Sequence, residues 1–466
     1  MRCLSVDKLL ERAASIANLA MLRTYSEPSS LQIAAINEYT PLLESNLRSL
    51  PPHYASTRDR ILAQLDIHRS LLAPIRRLPK ELLINIFFLV ASESPLRTLY
   101  VAVTFARVCA VWRAVAHGLT QLWTRLVVES LSDFDQYCEL FLPLTGERLS
   151  DIRCDEPRIL GPLWDGIELY ASCWRSVTLG SPLSVLPDLK VLYMENLERL
   201  TVDAYDAPLS VGLSALDFVV APRLRHIALT LDELQSECQL HVPVTRALTS
   251  LEITSISPFS VALTLPLLRA CANTLQSLTI RIRSVSEGVD KSYLADASGM
   301  LVMHALTYLS LADTACALLN QVTAPLVQQL VLSNVPVYGS RSLLAFLARG
   351  QASQSLLVLR VYQAKEREMS AWIPCLQLTD KLLQLHFDEL LSNREFLERL
   401  IRREDRPTLL PSLKGFAIVH IFRTHPELHG VIGDLLGSRE RETVFRGRRA
   451  WVTLRWIRDV FDSIFD

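Results

Sequence analysis

The sequence predicts an α/β protein in which a helical N-terminal region is followed by repeated strand and helix units. Three patterns predict this class: apolar residues at helical spacing up to residue 75, a segment from Ile75 to Ser94 that becomes almost wholly apolar after Glu81, and a leucine pattern typical of strands beyond residue 127. A chain of 466 residues is long enough to form several domains with substantial cores. We therefore divide it into residues 1–75, 76–126, 127–436 and 437–466.

The composition is that of a globular protein without a strong charge bias. Hydrophobic residues make up 50% of the chain and the formal net charge is −1, so the totals indicate neither a nucleic-acid partner nor an anionic membrane. The nine cysteines are scattered and form no C-x-x-C motif, which predicts free thiols in a reducing, intracellular compartment. Charges near the first residues and the lack of a long uncharged run argue against a signal peptide or a membrane span. We expect a soluble protein of the cytoplasm, the nucleus or both.

Residues 1–75 predict two helices around a break at Pro51 and Pro52. Apolar residues recur every three or four positions on both sides of the break, at Leu43, Leu47, Leu50, Ile61, Leu65 and Leu72. A short coiled-coil seam is an alternative, but the repeats are too few to establish it.

Residues 76–126 predict three short helices with an excess of apolar surface. In the first helix, Pro79 lies at the start and Glu81 in the first turn. Apolar residues then follow on every side of this helix, at Leu82, Leu83, Ile86, Phe87, Leu89 and Val90. A unit of this size cannot bury apolar residues on two faces of each helix, so we expect another domain or another protein to cover the excess.

The same segment carries an ordered set of residues that identifies a resemblance. The set is Leu78-Pro79-x-Glu81-Leu82-Leu83, Ile86-Phe87, Leu99, Val108-Cys109-x-x-Trp112-Arg113 and Leu122-Trp123. It resembles an F-box. Together with the helical N-terminal segment and the later leucine repeats, it is similar to a large class of fungal F-box proteins. The alternative is a helical hairpin packed wholly inside this chain.

The resemblance implies the substrate-recognition subunit of a Skp–cullin–F-box E3 ubiquitin ligase. Its F-box would dock on a Skp-type adaptor, and through it on a cullin, while the repeats would bind a protein substrate. The residues that the resemblance assigns to adaptor contact are Leu78, Pro79, Leu82, Ile86, Phe87, Val108 and Cys109. Those assigned to the core of the F-box are Leu83, Leu99, Trp112 and Trp123. Arg113 could serve either face.

Residues 127–436 contain short strand-like units at irregular spacing. A proline introduces some of them, as in LPDLKVLYM, APRLRHIAL, APLVQQLVL and LPSLKGFAI, and the same leucine phase appears in LTSLEI, LQSLTI, LTYLSL, LLVLRV and LLQLHF. The region resembles a leucine-rich repeat domain, which implies a solenoid with a curved parallel sheet and helices outside it. The position that usually holds Asn or Cys holds neither, for example at Thr314, Val335 and Ala364. We therefore expect an irregular solenoid, with a larger α/β domain as the alternative.

Between the strand leucines, aromatic and basic side chains are candidates for substrate contact, because such residues often anchor interfaces. The candidates are Tyr193, Arg225, His226, Arg281, Tyr308, Arg360 and Tyr362. Residues 437–466 mix basic and aromatic residues and predict a helix that caps the repeats; a membrane-surface or partner-binding helix is the alternative.

Motifs for bond chemistry are missing from the sequence. There is no phosphate-binding G-x-x-x-x-G-K-[ST] loop and no G-x-S-x-G elbow, and the HPELH stretch at His425–His429 is not the H-E-x-x-H zinc motif. We expect neither a metal nor a cofactor, and no enzymatic activity of the chain's own. The alternative functions are a non-degradative interaction scaffold with an F-box-like module and, against the missing nucleophile motif, a hydrolase in the C-terminal region.

Overall fold

The computed structural model forms two compact units, residues Met1–Ile152 and Arg153–Asp466. The described residues are 6–23, 28–51, 53–93, 98–146, 148–182, 191–205, 219–231, 246–255, 261–283, 300–349, 351–365, 369–387, 394–401, 409–418 and 429–440. The mixed α/β class with a long parallel sheet is confirmed.

The first unit begins with four helices: α1 (Val6–Ile16), α2 (Leu19–Arg23), α3 (Ser30–Ser49) and α4 (Ala55–Leu72). The predicted break at Pro51 is confirmed, since it separates α3 from α4. Ser29 caps α3 with a capping box: its hydroxyl accepts from the Gln32 backbone N–H, and the Gln32 side chain accepts from the Ser29 N–H. The start of α3 is therefore fixed by two reciprocal hydrogen bonds.

The apolar faces of these helices form small cores. Leu43, Ile61 and Leu65 pack with Leu9, Leu10 and Ala13, and Ile36 and Leu71 pack with Ala17. The leucine spacing predicted from the sequence therefore corresponds to the buried faces of α3 and α4.

One buried histidine lies among these helices. The His68 side chain has no exposed surface, and its Nδ1 lies 3.0 Å from the Thr40 hydroxyl. That hydroxyl also donates to the Ile36 carbonyl at 2.7 Å. Burial lowers the pKa of His68 below its usual 6.5, so the folded unit holds a neutral ring.

The first unit continues with α5 (Lys80–Glu93), α6 (Thr98–Val108), α7 (Ala110–Gly118), β1 (Arg125–Val128), α8 (Leu131–Gln136) and β2 (Ser150–Cys154). A 3-10 turn, Thr120–Trp123, follows α7. The three short helices predicted for residues 76–126 are α5, α6 and α7. Cys109 separates α6 from α7 because its backbone is extended.

The second unit is built on parallel strands. Their bounds are β3 (Trp174–Pro182), β4 (Leu192–Tyr193), β5 (Arg199–Tyr205), β6 (Val219–Val220), β7 (His226–Leu231), β8 (Ser250–Ser255), β9 (Ser277–Ile282), β10 (Leu301–Val302), β11 (Tyr308–Asp313), β12 (Val322–Thr323), β13 (Gln329–Ser333), β14 (Val358–Tyr362), β15 (Gln384–Phe387) and β16 (Gly415–Ile418). Within the described part of this unit, ten strands pair in parallel in the order β3-β5-β7-β8-β9-β11-β13-β14-β15-β16.

The register keeps one face of this ladder apolar from strand to strand. In one row Leu278 lies beside Leu309, which lies beside Leu330 and then Leu359. All four are fully buried, and the residues between them along each strand face the other way. The leucine pattern of the sequence therefore marks the buried face of the sheet.

Most of the predicted strand units coincide with paired strands, from β7 and β8 to β16. The unit LPDLKVLYM was interpreted wrongly. Its described residues, 191–194, supply the short β4, which pairs with β6 outside the ladder. The ladder strand of this stretch is β5, which follows it and pairs with β3 and β7.

Polar residues with left-handed backbone follow three successive strands. Asp313 ends β11 at φ 56°, Asn334 follows β13 at φ 47°, and Gln363 follows β14 at φ 51°. Asn and Asp tolerate this conformation better than most residues. The Asn334 amide donates to the Asp313 carboxylate at 3.3 Å. These three residues each lie one position before Thr314, Val335 and Ala364, where the sequence pattern would have placed Asn or Cys.

Helices of the second unit are α9 (Pro157–Leu169), α10 (Leu265–Ala270), α11 (Gly339–Arg349), α12 (Ala352–Ser355), α13 (Ile373–Gln377), α14 (Arg394–Leu400) and α15 (His429–Glu440). Of these, α11 lies between β13 and β14. The proposed cap at residues 437–466 lies largely outside the described residues. Among the helices described, none has both the length and the apolar character needed to cross a membrane.

We predict that the N-terminal helices lose stability as the pH falls below about 6.5, because the unfolded chain then binds a proton at His68 that the folded unit does not. Hydrogen exchange of α3 and α4, corrected for its intrinsic pH dependence, should show faster opening at pH 5.5 than at pH 7.5. His68→Gln should reduce this difference, whereas replacement of the exposed His53 by Gln should not. An equal response of both variants would contradict the prediction.

Candidate partner-binding surfaces

One side of α5 forms the core of the three-helix unit α5–α7. Leu83, Phe87 and Ala91 recur every four residues and are buried. The Phe87 ring stacks on Phe105 of α6 at 4.1 Å between centroids and lies 5.1 Å from the Trp112 ring of α7. These three rings connect all three helices and fix the rotation of α5 about its own axis.

The opposite side of α5 presents apolar side chains to solvent. Leu82 is 48% exposed, Leu89 is 65% exposed, and Ile86 between them is partly exposed. Their spacing of four and three residues places them in one line along the helix. We call Leu82, Ile86 and Leu89 the α5 ridge. Exposed Pro79 continues this surface beyond the N-terminus of α5.

The junction between α6 and α7 is fixed by polar contacts. Cys109 is the N-cap of α7, and its thiol accepts from the Trp112 backbone N–H at 3.5 Å. The Arg113 side chain donates from Nε to the Ala106 carbonyl at 2.9 Å, near the end of α6. The sequence left the role of Arg113 open, and the structure shows that it satisfies a carbonyl near the end of α6. Val108, at the junction, is 56% exposed.

The structure separates the predicted adaptor-contact residues by exposure. Pro79, Leu82 and Val108 are exposed, whereas Leu78, Ile86 and Cys109 are partly buried. Phe87 is fully buried under Phe105 and Trp112 and presents no surface. Its assignment to adaptor contact is therefore corrected: it belongs to the core, because it lies about 100° further round the helix than Ile86.

The predicted core residues all pack in the core. Leu83 and Trp123 are buried, and Leu99 and Trp112 are partly buried against them. The Trp123 indole donates to the Ala116 carbonyl at 2.8 Å and stacks on Phe141 at 5.3 Å. The buried indole is therefore both packed and hydrogen-bonded.

The predicted substrate-contact residues lie at different places in the second unit. His226 and Tyr308 open their strands on the solvent face, while Arg281, Arg360 and Tyr362 lie further along the same face. Arg225 is exposed just before β7. Tyr193 is 63% exposed but lies on β4, outside the ladder, so its assignment to the ladder face was wrong. The proline-introduced pattern had suggested a ladder strand there.

Arg360 and His386 are neighbours on adjacent strands β14 and β15. Burial, with the nearby Arg360 charge, lowers the pKa of His386 to about 4, so the ring is neutral at neutral pH. The Nε of Arg360 is buried and has no hydrogen-bond partner within the described residues. The sequence did not single out His386. A signal was available in the sequence: in the QLHF strand, His386 lies between Leu385 and Phe387 and so points to the opposite face.

Five of the described cysteines are buried and two are partly buried. Cys271 and Cys375 are buried, and burial raises the pKa values of their thiols to about 11 and about 12. Within the described ranges, no three metal-ligating side chains come together, and most of the HPELH stretch falls outside those ranges. Comparison with models of known protein families matched none, and a search of curated proteins found no significant relative.

We predict a large and a small effect on stability for substitutions on the two sides of α5. Phe87→Ala should lower the free energy of unfolding by about 3–5 kcal/mol, because it leaves a cavity under Phe105 and Trp112. Leu82→Ala should change it by about 0.5 kcal/mol or less, because Leu82 is already half exposed. Urea denaturation followed by circular dichroism measures both. Equal losses would mean that the α5 ridge is packed.

Proposed function

We propose that the three-helix unit is an F-box and that the chain is the substrate-recognition subunit of a Skp–cullin–F-box ubiquitin ligase. The observation that supports this most is the α5 ridge: Leu82, Ile86 and Leu89 form an apolar line on a small unit whose core is already filled. Such a surface on a small helical module favours docking to a partner.

The exposed surface is large enough to contribute to a specific complex. Fully burying a leucine or valine side chain is favourable by about 1.5–3 kcal/mol, and Leu82, Leu89 and Val108 each have about half or more of their surface free. The contact residues of the proposal are therefore Pro79, Leu82, Ile86, Leu89 and Val108. Leu78 and Cys109 would lie at the margin.

The second unit would bind the substrate protein. In this proposal its parallel ladder is an irregular leucine-rich-repeat-like solenoid, supported by the buried leucine rows and by the polar residues that follow three strands. The chain would carry out no bond chemistry itself. It would hold a substrate lysine near a charged ubiquitin carrier and so raise the effective concentration of the two reactants.

The test is co-purification of the full chain with a recombinant Skp-type adaptor. Wild type should retain the adaptor, and Leu82→Asp with Leu89→Asp should lose it, because the substitutions bury charge in the proposed contact. The matched control is Leu169→Asp, which changes an exposed leucine of α9. Circular dichroism checks that the variants are folded.

Two outcomes contradict the proposal. One is the absence of adaptor binding by folded wild type. The other is equal binding by the α5-ridge variant and the Leu169 control. Adaptor binding without ubiquitin transfer to any bound protein in a reconstituted ligase would instead favour a non-degradative scaffold.

A further inference from the structure

The solvent face of the ladder changes in character between β9 and β15. Three rows of outward-facing residues run across these strands: Ser277, Tyr308, Gln329, Val358 and Gln384; Thr279, Ser310, Val331, Arg360 and His386; and Arg281, Ala312, Ser333 and Tyr362. These rows contain two arginines and no carboxylate. Glu252 on β8 lies beside Thr279, and Asp313, which ends β11, accepts from Asn334. The three rows themselves therefore carry two positive charges, with the carboxylates at their margin.

Two of these rows have a small side chain on β11: Ser310 and Ala312 are only 6% and 7% exposed although they lie on the outward face. In the third row Ala312 and Ser333 are flanked by the larger Arg281 on β9 and Tyr362 on β14, so the side chains leave a shallow groove along this row. We call these three rows the β9–β15 groove. Its floor carries hydroxyl groups, which can also bond to a polar ligand.

The two arginines differ in how their donors are used. Arg281 is exposed, whereas Arg360 is partly buried and its Nε has no hydrogen-bond partner among the residues described. A buried donor without an acceptor costs free energy, and carboxylates are the acceptors that match a guanidinium best. Arg360 as a whole is only partly buried, and the other N–H groups of its guanidinium are the donors that an anionic ligand in the groove would use.

We propose that the β9–β15 groove binds an extended acidic segment of the substrate protein. Arg281 and Arg360 lie three strands and two residues apart, which corresponds to about 16 Å. In an extended peptide, carboxylates four positions apart point to the same side at about 14 Å, and the long arginine side chains span the difference. The inference rests on the proposed function, because it names the substrate class of that receptor.

The experiment measures binding of a fluorescein-labelled peptide of about ten residues that alternates Glu and Ser, by fluorescence anisotropy, to the full chain in complex with the adaptor. The matched peptide carries Gln in place of every Glu. The acidic peptide should bind about tenfold more tightly than the Gln peptide, and added salt should weaken its binding.

The variant Arg281→Gln with Arg360→Gln should weaken binding of the acidic peptide about tenfold. Arg199→Gln, at an exposed position of the same face on β5, should leave it unchanged. The double variant should also keep the melting temperature of wild type or exceed it, since it removes an unsatisfied buried donor. This second readout separates lost binding from lost folding.

Three results would overturn the inference: no preference of wild type for the acidic peptide, equal loss in the Arg199 control, or tighter binding of a single-stranded thymidine oligonucleotide that depends on the same two arginines. The last result would identify a nucleic-acid surface instead. Retention of the adaptor is measured separately. Loss of peptide binding alone contradicts the inference about the groove, whereas loss of adaptor binding contradicts the proposed role of the α5 ridge.

Discussion

The stacking of the Phe87 ring on Phe105 determines which side chains of α5 are exposed to solvent. With its ring buried against Phe105 and Trp112, α5 has one allowed rotation about its axis. That rotation exposes Leu82 and Leu89, with Ile86 between them partly buried against the core. An apolar surface on a protein of near-zero net charge favours self-association unless a partner covers it. The core and the proposed docking surface are thus two sides of the same helix.

The second unit follows a different constraint. Its strands pair in parallel with their leucines in register, so each repeat buries its apolar row only against its neighbours. The residues between the leucines are then free to vary without loss of core. This separation lets one stretch of the face carry Arg281 and Arg360 while another, on β8, carries Glu252. Recognition and stability therefore depend on different positions of the same strands.

The spacing of the leucines was sufficient to predict most ladder strands and the α/β class. A strand with one buried face needs an apolar residue at every second position. The same spacing misplaced the first repeat, since LPDLKVLYM and the following RLTVDAY both have strand character and only pairing decides between them. It also could not distinguish Phe87 from Leu82. Both are large and apolar, and their difference in burial arises from the tertiary position of Phe105 and Trp112.

The polar details were less predictable still. The Arg113 contact with the Ala106 carbonyl depends on the angle between two helices, and the proximity of Arg360 to His386 depends on the register of strands separated by a helix. Neither follows from spacing along the chain. The residues that follow the strands, Asp313 and Asn334, could have been found by searching one position earlier for residues that tolerate left-handed backbone.

The most direct measurement is site-specific photo-crosslinking between this chain and a Skp-type adaptor. A photoreactive residue placed at position 82 or 89 should crosslink to the adaptor, and the same residue at position 169 should not. Crosslinks that form from position 169 and not from the α5 ridge, or no crosslink from any of these positions in a folded chain, would contradict the account.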